Sequence, residues 1–416
     1  MRLVSILLLA TAAGCATAPL AVLPSPLPPP GIYTFADTLT LGHVDGVRIG
    51  EGGFSGLDLL ADGRLVAVTD RGPNLDAETL AGRPAKRFPV PDYRPSVVTL
   101  AAADGTLRVA SRVHILAPDG TAVSGRPPSG VGDALVETAL GPDGAPLAPD
   151  PWGLDAEGIA DAGGAGSGSG GTVWVSEEYR PSLWRVDLAT GAVVERVVPV
   201  PEHTFDRPLP AVFAYRSANL GFEGVAVVQT AAGPRVVAAL QGPLRLPGGD
   251  PGTPVARLLV FDPATGAAHT LAYALDGPDR RVGDVAALPD GRLLLVEHGP
   301  TGPGGAWGAA VYALDLAAGR SPDAADAAPE TLAPEAFASA EAAAGGGLVP
   351  KTRVLDLLAA GWPAGARKPE GLVVAGRRLG VVADNDYGLD APAGDGRAVA
   401  SGAATFLFVV DLDAAP

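Results

Sequence analysis

The sequence holds one cysteine, Cys15, in 416 residues, which excludes an intramolecular disulfide. Histidine is scarce as well. His43, His114, His203, His269 and His298 stand far apart, without an H-E-x-x-H pair or zinc-like spacing. No G-x-S-x-G elbow occurs, Gly53-Phe54-Ser55-Gly56 being only part of one, and no R-H-G phosphatase motif is present. Positive charge is short: 30 Lys and Arg against 46 Asp and Glu give a formal net charge of −16, which excludes nucleic acid as a partner. Long apolar runs are missing too. The stretch from Leu3 to Ala10 is too short to cross about 30 Å of hydrocarbon.

That stretch instead reads as the core of a signal peptide over residues 1–14, with Arg2 before it and small residues after it. Ala12-Ala13-Gly14-Cys15 resembles a bacterial lipobox in which Ala12 replaces the usual leucine, so Cys15 is expected to become the lipid-modified N-terminal residue. A proline-dense stretch without periodicity completes a tether over residues 15–31. The chain is then expected at the cell envelope as a monomer, in contact with membrane through its lipid alone, with one domain over residues 32–416.

What the chain has in abundance is turn formers, with 56 Gly and 41 Pro, between runs rich in Val and Leu. Five segments repeat one plan, at residues 55–72, 157–181, 223–243, 283–300 and 370–388: a short apolar strand, a Gly-rich turn and a second apolar strand. A third strand follows each pair (SVVTLAA, SLWRVDL, RLLVFDP, AVYALDL, TFLFVVDL), and a fourth follows most (LRVASRVHI, VVERVVPV, AHTLAYAL, TRVLDLL). Four antiparallel strands per repeat predict an all-β fold, a single β-propeller. Five blades can be counted, and a sixth would fit between Arg112 and Pro151. The last repeat lacks its fourth strand, which the segment at 33–42 is expected to supply, closing the ring with both chain ends.

The repeat carries charge at two fixed places. Ser55, Glu157, Glu223, Asp284 and Glu370 open the first strands; Asp70, Glu177 with Glu178, Gln241, Glu297 and Asp384 close the second. In an antiparallel hairpin these positions are neighbours, so both sets are expected at one mouth of the channel. Crowded carboxylates repel and take up protons unless neutralised. A hard cation such as calcium would serve, and so would Arg71, Arg180, Arg216 and Lys368, which lie near these acids. Acids at blade junctions also cap strands and bond backbone amides, which is their structural reading. Asp384-Asn385-Asp386 is the most calcium-like cluster and also a good plain turn.

Several spaced motifs, in order, resemble the phytase-like family described as having esterase-like activity, exported bacterial β-propellers. They are GGFSGLDLL with VTDRGPN, LDAEGIA with VWVSEEYRPSLWRVD, NLGFEGVAV from Asn219, VGDVAAL with LLLVEHG, and KPEGL with ADNDYG, together spanning Gly52 to Leu412. The resemblance implies a phosphoester or ester hydrolase related in fold to calcium-dependent propeller phytases, acting on a small-molecule substrate. It makes Asp70, Glu157, Glu177, Glu178, Glu223, Glu297, Glu370 and Asp384 candidate calcium ligands. Arg71, Arg180, Arg216 and Lys368 would then hold the substrate anion. His298, beside Glu297, is the one histidine placed for proton transfer, though an ordinary loop residue is the better reading. The competing class is a non-catalytic propeller with structural calcium, binding a ligand or protein at its mouth and stacking it on Trp152, Tyr179, Trp184, Trp307 or Tyr387; for Trp184 core packing is the better reading.

Overall fold

The computed structural model describes residues 26–128, 137–163, 171–246, 253–302, 304–319 and 348–412. Cys15, the leader and most of the tether lie outside them, as does most of the Ala- and Pro-rich insertion at 317–350.

Five blades form the ring. The first contains strands Phe54–Leu59, Leu65–Thr69, Ser96–Ala103 and Thr106–His114; the second, Ala156–Asp161, Thr172–Glu177, Ser182–Asp187 and Val193–Val198. The third contains Phe222–Thr230, Gly233–Pro243, Val255–Phe261 and Ala268–Ala274; the fourth, Arg281–Ala287, Leu293–Pro300, Trp307–Leu314 and Lys351–Asp356. The fifth contains Pro369–Ala375, Arg378–Ala383, Phe406–Asp411 and, as its outermost strand, Gly31–Phe35. Tyr33 pairs antiparallel with Leu407, so the N-terminal segment closes the ring as expected. The same strand touches the outer strand of the first blade through Thr34 and Thr106, stitching the two blades together.

No sixth blade forms among the described residues. Between Arg112 and Pro151 the one strand is Thr138–Leu140, which joins the hairpin Leu75–Leu80 and Arg83–Arg87 in a three-stranded side sheet. That sheet shares a small apolar cluster, including Val44, Leu75, Tyr93 and Tyr387, with the segments around it, and raises a rim over one side of the mouth.

Both faces of each blade are covered by neighbours, which is why these strands read as continuous apolar runs rather than as alternation. Leu65–Thr69 is buried at every position. One wedge of apolar side chains fills each gap: Val68 and Val97 against Ile159 and Val175, Trp174 against Phe222 and Leu259, Leu258 against Leu293 and Leu295. Leu294 and Val311 meet Leu372 and Val381, and Val382 and Leu407 meet Leu57 and Val98 to complete the circle.

Glycine sets how tightly the inner strands converge. Gly56, Gly158, Gly224, Gly283 and Gly371 take corresponding places, each facing the next blade's inner strand. A Cβ on Gly158 would stand 2.6 Å from Glu223 O and from Val225 N, backbone atoms that cannot swing aside. Gly158→Ala is therefore expected to cost about 1–3 kcal/mol, read as a lowered urea midpoint. Gly365→Ala, in open space, should leave that midpoint unchanged.

Candidate functional site

The pairing of first and second strands slips in every blade, beside the same glycine: at Phe54/Gly56, Ala156/Ile159, Phe222/Val225, Val282/Asp284 and Pro369/Gly371. A residue left out of a ladder in this way is re-aimed. In four blades the side chains so placed are Ser55, Glu157, Glu223 and Glu370, and all four line a cavity of about 270 Å³ at the channel mouth. In the fourth blade Gly283 is the unpaired residue, so Val282 stands where the others carry a polar group. Asp284 is turned into the protein, where it accepts from Val285 N (2.8 Å) and from Leu372 N of the next blade (2.7 Å). It straps two blades together and does not reach the mouth.

The second set divides. Asp70, Glu178 and Gln241 line the cavity. Asp70 is held by Tyr387 OH and Gly72 N, both donating at 2.7 Å. Glu177 points the other way and fixes the turn after its strand, accepting from Tyr179 N, Arg180 N and Ser182 Oγ. Glu297 is fully buried and its oxygens are taken: Arg280 Nε (2.9 Å) and Asp276 N (3.0 Å) donate to one, Tyr273 OH (2.7 Å) to the other. Asp384 lies below the mouth, accepting from Asp386 N, with Lys368 Nζ at 3.4 Å. Of the eight expected ligands, Asp70, Glu157, Glu178, Glu223 and Glu370 meet in the cup, whereas Glu177, Glu297 and Asp384 do not.

The four cations divide similarly. Arg71 is buried at the mouth, 3.0 Å from both Glu137 and Asp155, and donates to Asn219 Oδ1. Lys368 sits 2.6 Å from Asp386 and 3.6 Å from Glu370. Arg180 and Arg216 line a separate cleft with Glu177. Expected stacking platforms are absent from the mouth: none of Trp152, Tyr179, Trp184, Trp307 and Tyr387 lines the cavity among the described residues. Tyr179 and Tyr387 are buried, their hydroxyls donating to Gly125 O and Asp70. Trp184 is buried as expected. His298 is part of strand Leu293–Pro300 rather than a loop, and burial, with Arg280 and Lys368 nearby, pushes its pKa down to about 3.

Asp155, Asn219 and Glu137 join the site unexpectedly, and of the Asp384-Asn385-Asp386 cluster it is Asp386 that reaches the mouth. Asp155 had a visible cue: it stands two before Glu157 in LDAEGIA, and residues two apart in extended chain share a face. Asp155, Glu157 and Glu178 each offer an oxygen, all within 4.8 Å of one another. Among the described residues, nine carboxylates line the mouth against three cations, Arg71, Lys86 and Lys368. Burial foremost, and then mutual repulsion, raises the pKa of Asp70, Glu157, Glu178 and Glu223 well above the carboxylate range. Burial lifts Glu370 to about 8 even with Lys368 beside it.

This fold and mouth define a hydrolase-like propeller with a carboxylate cup at the end of its channel. A family described as phytase-like, with esterase-like activity of phytase, matches residues 49–387, and the chain belongs to that family. No curated protein matches the sequence. Similar solved structures include Kuenenia stuttgartiensis hydrazine synthase, at 12% identity over 87% of this chain and 99% of that one, with a TM-score of 0.33. A protein of unknown function from Dyadobacter fermentans matches at 12% identity over 92% and 100%, with a TM-score of 0.33. The GH74 xyloglucanase of Xanthomonas campestris matches at 16% over 86% and 53%, with a TM-score of 0.31. Likeness this distant bears on no activity.

Proposed function

We propose that the protein is a divalent-cation-dependent hydrolase of small phosphoesters or esters, working in the carboxylate cup and held at the cell envelope through Cys15. The observation that carries the reading is the donor set itself. Every side chain that could hold an ion there offers oxygen, the chemistry of a calcium-class cation, and oxygens up to 4.8 Å apart can share one ion with bonds of about 2.4 Å. Two buried polar atoms in the cup, Ser55 Oγ and Asp155 Oδ2, also lack a hydrogen-bond partner; the Arg71 guanidinium lies 3.0 Å from the latter without an aligned N–H. Asp155, Glu157 and Glu178 would hold the cation, with Asp70, Glu223 and Glu370 around them. A bound cation supplies Lewis acidity toward a phosphoryl or carbonyl oxygen and acidifies water.

The chain's own cations complete the site. Lys368, kept charged by Glu370 and Asp386, faces the cup and would pair with a substrate oxygen. Arg71 is locked in place by Glu137, Asp155 and Asn219, so it presents its charge without reorganisation. The low pKa of His298 leaves it neutral and unable to donate a proton near neutral pH, so proton transfer falls to the raised carboxyl groups of the cup.

The test uses p-nitrophenyl phosphate and a short-chain p-nitrophenyl ester, with EDTA and with added calcium. Calcium-dependent turnover, lost in Glu223→Gln and Glu370→Gln while folding persists, is expected. Calcium raising the melting temperature without turnover would remove the hydrolase reading for these substrates and leave a structural ion. For the tether, Cys15→Ser should move the protein from the membrane fraction to the soluble one after cell breakage.

A further inference from the structure

A second cleft opens beside the cup, on the other side of the Glu177–Glu178 pair. Glu178 faces the cup and Glu177 the cleft, at the point where the strand Thr172–Glu177 gives way to a turn. The chain from Ala214 to Asn219 also runs between the two, with Arg216 on the cleft and Asn219 on the cup.

The cleft is chemically unlike the cup. Pro181, Trp184, Val198, Pro199 and Val200 give it apolar walls. Those walls are rigid: Trp184 Nε1 donates to Ser182 Oγ at 2.9 Å, and Arg196 is held between the rings of Trp152 and Trp184 while donating twice to Asp206 at 2.8 Å. Arg180 is paired with Glu202 at 2.5 Å. Arg216 differs from both. It is 3% exposed, its Nε is buried without a hydrogen-bond partner, and it takes part in none of the ion pairs found among the described residues. The charges of Glu177 and Glu178 act on it, but neither carboxylate comes within ion-pair distance, and a guanidinium withdrawn from water with its anions held off is costly unless a further anion meets it. At the rim, Val200 is 39% exposed. The volume is about 50 Å³ against about 270 Å³ in the cup, room for a carboxylate end and the methylenes next to it but not for a ring.

We propose that this cleft binds a small organic anion with a narrow apolar body, such as a short-chain carboxylate, its charged end on Arg216 and its body along Trp184, Pro199 and Val200. The site is separate from the cup and does not depend on the cup holding a cation.

Calorimetric titration of the full chain with acetate, butyrate, hexanoate and the neutral hexanamide, each with calcium and with EDTA, tests this. Affinity should rise roughly threefold to fourfold per methylene from acetate to hexanoate, and hexanamide should bind at least tenfold more weakly. Arg216→Gln should weaken hexanoate at least tenfold. Val200→Trp, a change at a partly exposed position, should block hexanoate even if the arginine variant fails to fold. EDTA should leave hexanoate binding unchanged. No hexanoate binding, equal binding of hexanamide, no dependence on chain length, or binding that survives Val200→Trp would each overturn the proposal. Binding lost with EDTA would place the anion in the cup and overturn it too. Absence of turnover in the cup, by contrast, would leave this site standing.

Discussion

Calcium added to EDTA-treated protein at pH 8 should raise the melting temperature by several degrees, and the gain should shrink toward pH 5. Burial lifts the Glu370 carboxyl to about 8 and that of Asp384 to about 6, from ordinary values of 4.5 and 3.8. Glu157, Glu178 and Glu223 are raised too, by burial first and by one another next. A carboxyl with a folded pKa above its unfolded one binds its proton more tightly in the fold. Its contribution is complete below about pH 4 and is lost as pH rises through 6 and then 8. Without a divalent cation, stability should therefore fall across this window. A cation binds the ionised form and replaces those protons, and at a hundredfold excess over its dissociation constant it adds about 2.7 kcal/mol. Differential scanning calorimetry at pH 5, 6.5 and 8, with and without calcium, checks both slopes. A melting temperature independent of pH in EDTA would show that the cup carries no such strain.

The second large effect separates two glutamates that look equivalent in the repeat. Glu297→Ala should cost about 3–5 kcal/mol, because it leaves the Arg280 guanidinium buried without its carboxylate. It should leave calcium affinity unchanged in whatever protein remains folded. Glu157→Gln should do the reverse. It removes a charge from a crowded ring, so the metal-free protein becomes more stable at pH 8, while calcium affinity falls at least tenfold. Urea midpoints and calcium titrations of the two variants decide this. A similar loss of calcium affinity in both would mean that Glu297 acts at the mouth, contrary to its hydrogen bonds.

The ring was legible in the sequence because blades buried on both faces leave repeated apolar double strands, and because the last repeat visibly lacks a strand. The sixth blade was not excluded in advance, since the length of an insertion does not reveal that its strands pair sideways, as Arg83–Arg87 does with Thr138–Leu140. The cup was half legible. Alignment on acidic residues gives the right place in three blades, but in the fourth the residue before the matching glycine is Val282, and Asp284 stands beyond Gly283, past the slip in the ladder. Glu297 misled because its partners, Tyr273, Arg280 and Lys351, come from outside the repeated segment. Arg180 and Arg216 are near the cup acids in sequence but not in space: Arg180 lies in the turn that Glu177 fixes after its strand, and Arg216 closes the 3-10 turn Ala211–Tyr215 ahead of the third blade. Asp155 stands two positions before Glu157, just outside the strand Ala156–Asp161 that carries the repeat.

If Asp155, Glu157 and Glu178 hold a divalent cation, isothermal titration of calcium into the EDTA-stripped, dialysed full chain at pH 8 will show it. Saturable binding is expected in the wild type, weakened at least tenfold by Asp155→Asn, by Glu157→Gln and by Glu178→Gln, and left intact by Glu177→Gln. Absence of binding, or binding unchanged in those three variants, would contradict it.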